Sequence, residues 1–527
     1  MSIHVIIAQP EDLCNPQILL RELLKDSKLD TVWSFSKATE VLNLLFMKID
    51  YPITIFNEDN YTDENYSDLY ANYYVRSYRD NSKFSKRILI FKGDQFGLEQ
   101  WFNSSVNEIS DYLLAEIIIP YSMNKNIGIA LIRPELWLSG IHHAMIITGH
   151  NSTFILGKYL EINAFPYRQL DGGLLSCAEV SLLNILDYYY CLNQGYRKVL
   201  PSDILKIKDE LSQFGASNGH GMGITDIHNV LQRENLRTNI YMKSDLHREY
   251  SCTTREMLLK RKIYSYIDSG YPCILLVSSP NDYQEIGHCI NGIGIIHSET
   301  IDYDTIEVQN ICGVEGKEYN IINVADIDSD LIVMDDRVFL DVISISNEKK
   351  EQKYELQGCI IPTPAQVMLN ADDAFIIAQK LLSLLSNGEF EKYVNGRLLI
   401  LRTCLARSES FIYQRVNSAS TIEEKHIYAQ MDIPQYVWVC EFSTQDNWKN
   451  KQVDCEIIID ATSAFVDVEM AVVSARFSDD IIHNNELYNR DEEGNVVVPG
   501  VSIFSFKGYE VNKTISAYVA PHTYEMF

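Results

Sequence analysis

A 22-residue segment, QLDGGLLSCAEVSLLNILDYYY, constrains the fold of this chain more than any other stretch. The segment starts at Gln169 with a two-glycine turn. From Cys177 onward its apolar residues recur at helical spacing, with Val180, Leu183 and Leu186 on one broad stripe. The pattern predicts a buried central helix that begins at a cysteine.

A cysteine at the start of a helix has a specific chemical meaning. Thiolate, not thiol, is the nucleophile, and the free-cysteine pKa of about 8.5 falls at helix N-termini and beside an imidazolium. The two glycines before Cys177 also let backbone N–H groups point at a developing oxyanion. Because a lone cysteine is more often a small buried residue, a catalytic interpretation of Cys177 requires partners elsewhere in the chain.

Two downstream strands contain candidate partners. In QEIGHCINGIGII, His288 follows a glycine at the start of an apolar strand, which suits a general base and acid. In LIVMDD, Asp335 and Asp336 end a second apolar strand. Adjacent strand residues point to opposite faces, so we expect only one of the two carboxylates to orient the imidazole. Asn310, in VQNICG, is a competing amide.

The order of these residues resembles that of the papain-like cysteine peptidases. The likeness is closest to the branch that includes the bacterial double-glycine leader peptidases, and it covers roughly residues 160 to 345. The resemblance implies Cys177 as nucleophile, His288 as general base and acid, Asp335 as the orienting carboxylate and Gln169 as an oxyanion donor. It also implies a polypeptide substrate.

Three other histidines and one acidic segment offer alternatives. In circularly permuted papain-like enzymes a histidine precedes the cysteine, and His142 and His143 in GIHHAMIITGH fit that order. The segment DIDSDLIVMDDR begins like a calcium loop but lacks the required glycine and the bidentate glutamate. His220 has no second ligand at zinc spacing. We therefore expect no metal ion and no other cofactor.

The chain predicts an α+β protein of three regions. We expect an α/β domain over residues 1–150 and a papain-like domain, with helices packed on an antiparallel sheet, over 151–345. A domain with helices followed by strands is expected over 358–527, after a polar run that starts at Ser346. The flanking regions have no assigned role and are candidates for binding substrate or a protein partner. Expected strands include HVIIA, YPITIF, KRILIF, AEIIIP, IGIALI, PCILLV, HCINGIGII and DLIVMDD.

Composition narrows the class of partner and the compartment. Lys and Arg total 45 against 72 Asp and Glu, so a net charge of -27 argues against nucleic-acid binding. The start of the sequence lacks an export signal, and no run of about 18 apolar residues predicts a membrane span. The eleven scattered cysteines without a CxxC pair predict free thiols. We expect a cytoplasmic protein that does not bind membranes.

These observations favour a cysteine peptidase that works through an acyl-enzyme. Two alternatives stay open. The first is a catalytically degenerate papain-like scaffold, for which the 32 tyrosines are an argument because tyrosine is favoured at interfaces. The second is an acyltransferase or transglutaminase-like enzyme that shares the nucleophile but passes the acyl group to an amine.

Overall fold

The protein is α+β, as predicted, and contains several sheets whose strands pair mostly antiparallel. The computed structural model describes residues 2–24, 37–76, 81–94, 96–121, 126–138, 141, 143–170, 174–192, 195–213, 221–246, 255–278, 287–298, 303, 306, 308–312, 318–327, 330–337, 339–344, 354–384, 396–418, 422–464, 466, 471–477, 480–483, 489–490, 496–497 and 515–526. None of the described helices is long and apolar enough to cross a membrane.

The N-terminal region forms a five-stranded sheet in the order β1-β2-β3-β4-β5. Its strands are β1 Ser2–Ala8, β2 Ile53–Tyr61, β3 Ser85–Lys92, β4 Leu113–Pro120 and β5 Ile129–Ile132. All five were predicted as strands. Each neighbouring pair is antiparallel, whereas an α/β domain would pair its strands in parallel, because apolar runs identify strands without fixing their direction.

Helices and a hairpin cover the two faces of this N-terminal sheet. The helices of the region are α1 Pro10–Cys14, α2 Gln17–Leu23, α3 Lys37–Phe46, α4 Glu64–Asn72, α5 Leu98–Asn103, α6 Val106–Tyr112 and α7 Pro134–Trp137, with a 3-10 turn at Tyr74–Arg76. A hairpin of β7 Gly149–Ile155 and β8 Lys158–Ala164 packs on the face that carries Phe56, Leu89 and Phe91. The buried parts of this face and hairpin form a small apolar core of their own.

The central sheet has eight strands. Six follow the order β15-β14-β11-β10-β16-β9, while β6 pairs with β11 and β26 pairs with β6. These strands are β6 Ala144–Ile147, β9 Leu236–Met242, β10 Cys273–Ser278, β11 His288–Ile296, β14 Asp330–Met334, β15 Asp341–Ser344, β16 Glu355–Pro364 and β26 Thr523–Met526. At Gly294 an added Cβ would lie 2.4 Å from the Met145 carbonyl oxygen, so only glycine lets β6 approach β11 here.

The central sheet draws strands from all three expected regions. β6 comes from before residue 150, and β26 comes from the C-terminal end of the chain. β16 begins inside the polar run that was expected to separate two domains, and it pairs with both β10 and β9. The sheet that carries His288 is therefore not confined to 151–345.

The predicted central helix is α8, Cys177–Leu192. Residues 178–189 of α8 are all buried, which confirms the expectation of a core helix. Three further helices pack in this region: α9 Pro201–Gln213, α10 Ile224–Arg233 and α11 Arg255–Asp268. Both α8 and α11 contact β11, so the strand of His288 is held between helices and neighbouring strands.

A seven-stranded sheet occupies the C-terminal part, in the order β12-β13-β17-β18-β20-β21-β22. Its strands are β12 Gln309–Cys312, β13 Glu318–Asn323, β17 Leu398–Arg407, β18 Tyr436–Thr444, β20 Cys455–Asp460, β21 Val472–Phe477 and β22 Asp480–His483. The remaining elements are α12 Ala371–Leu384, α13 Ser408–Ser418, α14 Ile422–Gln430, α15 Gln445–Lys449, a 3-10 turn Val324–Asp326, and the short pairs β19 Gln452–Val453 with β25 Ile515–Ser516 and β23 Asn489–Arg490 with β24 Val496–Val497. The β13–β17 pair is parallel.

Candidate active site

Cys177 is the first residue of α8, and a capping arrangement fixes that helix start. The backbone N–H of Ser176 donates to the Glu179 carboxylate at 3.0 Å, and the Ser176 hydroxyl bonds to the same oxygen. Glu179 is fully buried and pairs with Lys208 at 2.6 Å. The first of these bonds satisfies the N–H of Ser176, one of the donors at the helix start that lack an intrahelical acceptor. The half-buried Cys177 thiol is therefore held at the N-terminus of α8.

Buried polar contacts join α8 to β11. The Ser181 hydroxyl donates to the Cys289 carbonyl at 3.3 Å, and the Asn291 amide donates to the Ser181 carbonyl at 3.1 Å. The Asn184 amide donates to the Asn291 side-chain oxygen at 3.2 Å. Because these groups are buried, each lost bond would leave an unpaired polar atom in the core. The contacts set the position of the cysteine helix relative to the histidine strand.

His288 is the first residue of β11, and a carboxylate orients its ring. Nε2 of His288 lies 2.8 Å from Oδ1 of Asp335, which is fully buried just after β14. The backbone N–H of Arg337 donates to the same oxygen at 3.0 Å, and the Tyr354 hydroxyl donates to the other. Burial alone would raise the pKa of Asp335, but these hydrogen bonds hold it below its usual value.

The imidazole of His288 meets the thiol of Cys177 on its other side. Nδ1 of His288 is buried and makes no hydrogen bond of ordinary geometry to any described residue. The ring and the thiol nevertheless interact, and the interaction shifts both groups. Burial favours the neutral ring, but hydrogen bonds with Asp335 and Cys177 raise the pKa of His288 from 6.5 to about 9.

The Cys177 thiol is acidic in this environment. A hydrogen bond from the Cys289 thiol is the largest cause that lowers the Cys177 pKa well below 9.0, and burial opposes it. The His288 side chain and the backbone N–H of Cys289 lower the pKa further. The lowered thiol pKa and the raised imidazole pKa both favour the thiolate and imidazolium forms of the pair.

Asp336 also faces His288. Its Oδ1 lies 3.5 Å from Nε2 of His288, and both carboxyl oxygens are buried without a hydrogen-bond partner among the described residues. Burial and the neighbouring Asp335 raise the pKa of Asp336 to about 7. Both aspartates lie near the ring, but among the described residues only Asp335 forms a hydrogen bond with it. Strand alternation is not the reason, because β14 ends at Met334.

Gln169 is buried, but its described contacts lead to the N-terminal region. Its side-chain oxygen accepts from the Ile127 N–H at 2.9 Å, and its amide donates to the Lys37 carbonyl at 3.3 Å. Among the residues that the structure describes, no hydrogen bond joins Gln169 to Cys177 or His288. The glycine turn at 171–173 lies outside the described residues. The oxyanion role of Gln169 stays a prediction.

Two of the alternative partners, Asn310 and His143, lie away from Cys177 and His288. Asn310 is exposed on β12, in the seven-stranded sheet rather than the sheet of His288. The His143 carbonyl accepts from the His297 N–H at 2.7 Å, just beyond the far end of β11. Residues 288 and 297 are nine positions apart, or roughly 30 Å at about 3.3 Å per residue. His142 and His220 lie outside the described residues.

Sequence reasoning missed two side chains of this site. Cys289 follows the histidine, and Tyr354 belongs to the polar run that was expected to be a boundary. Nothing in the local pattern of Tyr354 signals its bond to Asp335. The capping arrangement at Ser176 did carry a signal, since SCAE matches the S-x-x-E pattern of a capping box.

The side chains around His288 are also of the types that bind metal ions. His288, Asp335 and Asp336 offer ligand atoms that all lie within 4.8 Å of one another. Imidazole and carboxylate suit a divalent cation such as Zn²⁺. Binding there would compete with the hydrogen bond between His288 and Asp335, so a metal ion at this cluster would disrupt the orientation of the imidazole.

Comparison with known proteins does not assign the chain to a family. No protein-family model matches the sequence, and no curated protein matches it either. The geometry of the cluster around Cys177 and His288 is therefore the basis for assigning a function.

Proposed function

We propose that this protein is a cysteine peptidase of papain-like architecture that cleaves a polypeptide. One observation carries the proposal: an acidic thiol at the start of a buried helix faces an imidazole whose opposite nitrogen binds a buried carboxylate. A nucleophile, a base and an orienting group in that order are the requirement for thiol acyl chemistry. The packing of α8 on the antiparallel strands β10 and β11, with β14 beside β11 in the same sheet, supports the papain-like arrangement.

The proposed reaction has two steps. The Cys177 thiolate attacks the carbonyl carbon of the scissile amide, and imidazolium Nδ1 of His288 gives its proton to the leaving amine, so a thioester forms as the C–N bond breaks. The neutral imidazole then takes a proton from water as the water oxygen attacks the thioester. The carboxylic acid leaves, and the thiolate and imidazolium form again.

The start of α8 supplies the groups that stabilise the oxyanion. The first N–H groups of a helix lack intrahelical acceptors and carry the positive end of the helix dipole. The N–H groups of Cys177 and Ala178 are in this position. In this proposal they bind the developing oxygen, and Gln169 joins them when its amide is released from the Lys37 carbonyl.

Alkylation and peptide cleavage together test the proposal. We expect iodoacetamide at about pH 6 to label Cys177 faster than any other thiol, and Cys177→Ala to lose both this label and cleavage of a peptide library. Cys14→Ala is the matched control, because Cys14 is an exposed thiol far from the imidazole in sequence, and it should retain both. His288→Asn should slow the labelling of Cys177 and abolish peptide cleavage. A chelator should leave cleavage unchanged.

The outcomes separate this function from its alternatives. Cleavage that persists in Cys177→Ala would exclude the thiol mechanism. A reactive Cys177 without hydrolysis, together with amine-linked products in mass spectra, would indicate acyl transfer instead. Ordinary reactivity at Cys177 with no turnover would indicate a scaffold. Activity that is lost with chelator and restored with Zn²⁺ would assign His288 and its carboxylates to a metal.

A further inference from the structure

A large cavity lies at the opposite end of α8 from Cys177. Its volume is about 790 Å³, and it is enclosed by the N-terminal sheet, the β7–β8 hairpin and the last turns of α8. Cavities that bind small ligands span about 300–1,000 Å³. Asp187, on the cavity wall, follows Cys177 by ten residues, or about 15 Å along a helix. The cavity is therefore separate from the candidate active site.

Charged residues occupy a sheet face that would otherwise be apolar. Glu58 on β2 lies directly opposite Arg87 on β3, and the guanidinium donates to Glu58 at 2.8 Å. Arg87 also donates to Thr153 at 3.2 Å and to the Phe154 carbonyl at 3.0 Å, and it lies over the Tyr61 ring at 4.2 Å. Because Arg87 is committed to these partners, it has little capacity to bind an anion in the cavity.

Carboxylates outnumber cations on the cavity wall. Five carboxylates line it against the two cations Arg87 and Lys198, and Lys198 is already bound to Glu64 at 2.7 Å. Burial and then the nearby charge of Asp187 raise the pKa of Asp63, and burial together with Asp63 raises that of Glu116. These carboxyl groups are close enough to repel one another. The buried Arg168 bonds to the other oxygen of Asp187 and offsets one of these charges. A further cation in the cavity would relieve the repulsion that is left.

The unpaired polar atoms on the wall are acceptors. Oδ1 of Asp187 and the side-chain oxygen of Asn65 are buried without a hydrogen-bond partner among the described residues. The two side chains are only 6% and 7% exposed, and both line the cavity. A buried acceptor left unpaired destabilises the fold by about 1–3 kcal/mol. A hydrogen-bond donor on a ligand in the cavity would satisfy both of these oxygen atoms.

We propose that this cavity binds a small organic cation with primary ammonium groups, an alkyl diamine or polyamine. An ammonium group has three donors and no acceptor, which matches the unpaired oxygens of Asp187 and Asn65. The carbonyl end of α8 favours positive charge at the same place. Tyr190 and Phe154 on the wall cover the alkyl chain and attract the cation through their ring faces.

Calorimetric titration of the full chain with putrescine and with spermidine tests the proposal, and the neutral 1,4-butanediol is the matched ligand. We expect saturable binding of the amines, weaker at high salt, and none of the diol. Asp187→Asn should weaken the binding of both amines at least tenfold. Tyr190→Ala, at a side chain that is 46% exposed and outside the buried core, should weaken amine binding about fivefold. Asp245→Asn, at an exposed carboxylate on another surface, should bind as the unchanged chain does.

Equal heats for the diamine and the diol would overturn the proposal, as would full affinity in both Asp187→Asn and Tyr190→Ala. If Asp187→Asn does not fold, Tyr190→Ala decides the outcome. Binding that is lost equally in Asp245→Asn would indicate general attraction to an acidic chain and would also count against the cavity. The same titration on Cys177→Ala separates this inference from the proposed peptidase, since amine binding should not depend on the thiol.

Discussion

The sulfur of Cys177 owes much of its acidity to a neighbour on β11. The Cys289 thiol is buried, and its interaction with Cys177 is the largest cause that lowers the Cys177 pKa, with a further contribution from the Cys289 backbone. A hydrogen bond to a charged group contributes about 1.5–3 kcal/mol, and one pKa unit corresponds to about 1.4 kcal/mol. Cys289 therefore controls the reactivity of Cys177 without taking part in bond formation.

Replacing Cys289 tests this role directly. In Cys289→Ala we expect the midpoint of the pH profile for iodoacetamide alkylation of Cys177 to rise by about 1–2 units, because the thiolate loses its donor. Cys289→Ser keeps a donor and should stay nearer to the unchanged profile. Mass spectrometry of the Cys177 peptide gives the rate at each pH. Identical midpoints in the alanine and serine variants would rule out the hydrogen bond as the cause.

The pH dependence of cleavage follows from the two shifted groups. The thiolate requires a pH above the lowered pKa of Cys177, and the imidazolium is lost as the pH rises through about 9, the raised pKa of His288. Peptide kcat/KM should therefore be high at neutral pH and fall on an alkaline limb near 9. Asp336 gains its charge at about pH 7, and that charge supports the imidazolium. Asp336→Asn should shift the alkaline limb to lower pH.

The control for this shift is Asp245→Asn, at an exposed carboxylate that should leave the limb unchanged. A circular dichroism spectrum of each variant shows that the fold is retained. An alkaline limb that does not move in Asp336→Asn would mean that Asp335 alone sets the imidazole pKa. A limb that moves upward would contradict the sign of the argument, because removing an anion cannot favour a neighbouring cation.

At the scale of elements, the sequence predicted individual helices and strands better than it predicted which strands pair with one another. The apolar stripe after Cys177 predicted α8, and the apolar runs predicted β10, β11 and β14. These predictions worked because buried elements carry apolar residues in recognisable local patterns. The strand β16 was missed, because it starts in a polar run and its burial comes from its two neighbours. Strand partners depend on contacts between distant residues, which a local pattern does not contain.

The same distinction holds within the site. Cys177, His288 and Asp335 were identified because each stands at the end of a strongly patterned element. Tyr354 and the second contact from Asp336 depend on where chain segments cross, and neither has a local signature. Gln169 shows the opposite case: its position suits the predicted order, but packing directs its amide to Ile127 and Lys37.

At the scale of the molecule, the three expected regions share cores. A buried ion pair links α11, in the central region, to β17 in the C-terminal sheet: Arg402 donates to both oxygens of Asp268 at 2.6 Å and 2.9 Å. Arg402 also reaches Glu441 at 3.0 Å. A buried charge without its partner is strongly destabilising, so removing either side of this contact affects the other. The central region depends on residues far beyond 345.

Truncation tests this dependence. A fragment of residues 151–345 lacks β6, β16 and β26, and the loss of β16 alone leaves β10 and β9 as unpaired edges in the middle of the sheet. The register pairs Cα positions five times between β10 and β16 and seven times between β16 and β9. At about 0.5–1.5 kcal/mol for each hydrogen bond, the loss is on the order of 10 kcal/mol. That equals the whole stability of a typical domain, about 5–15 kcal/mol.

We therefore expect the 151–345 fragment to show no cooperative thermal transition and to aggregate, while the full chain melts cooperatively under the same buffer conditions. Its Cys177 should react with iodoacetamide no faster than an ordinary thiol, because the fragment lacks Tyr354, which donates to the Asp335 carboxylate behind His288. Calorimetry and the alkylation rate measure the two effects independently. A fragment that melts cooperatively and keeps the fast Cys177 reaction would show that the central region folds without its flanks, and that β16 only covers a sheet which is already stable.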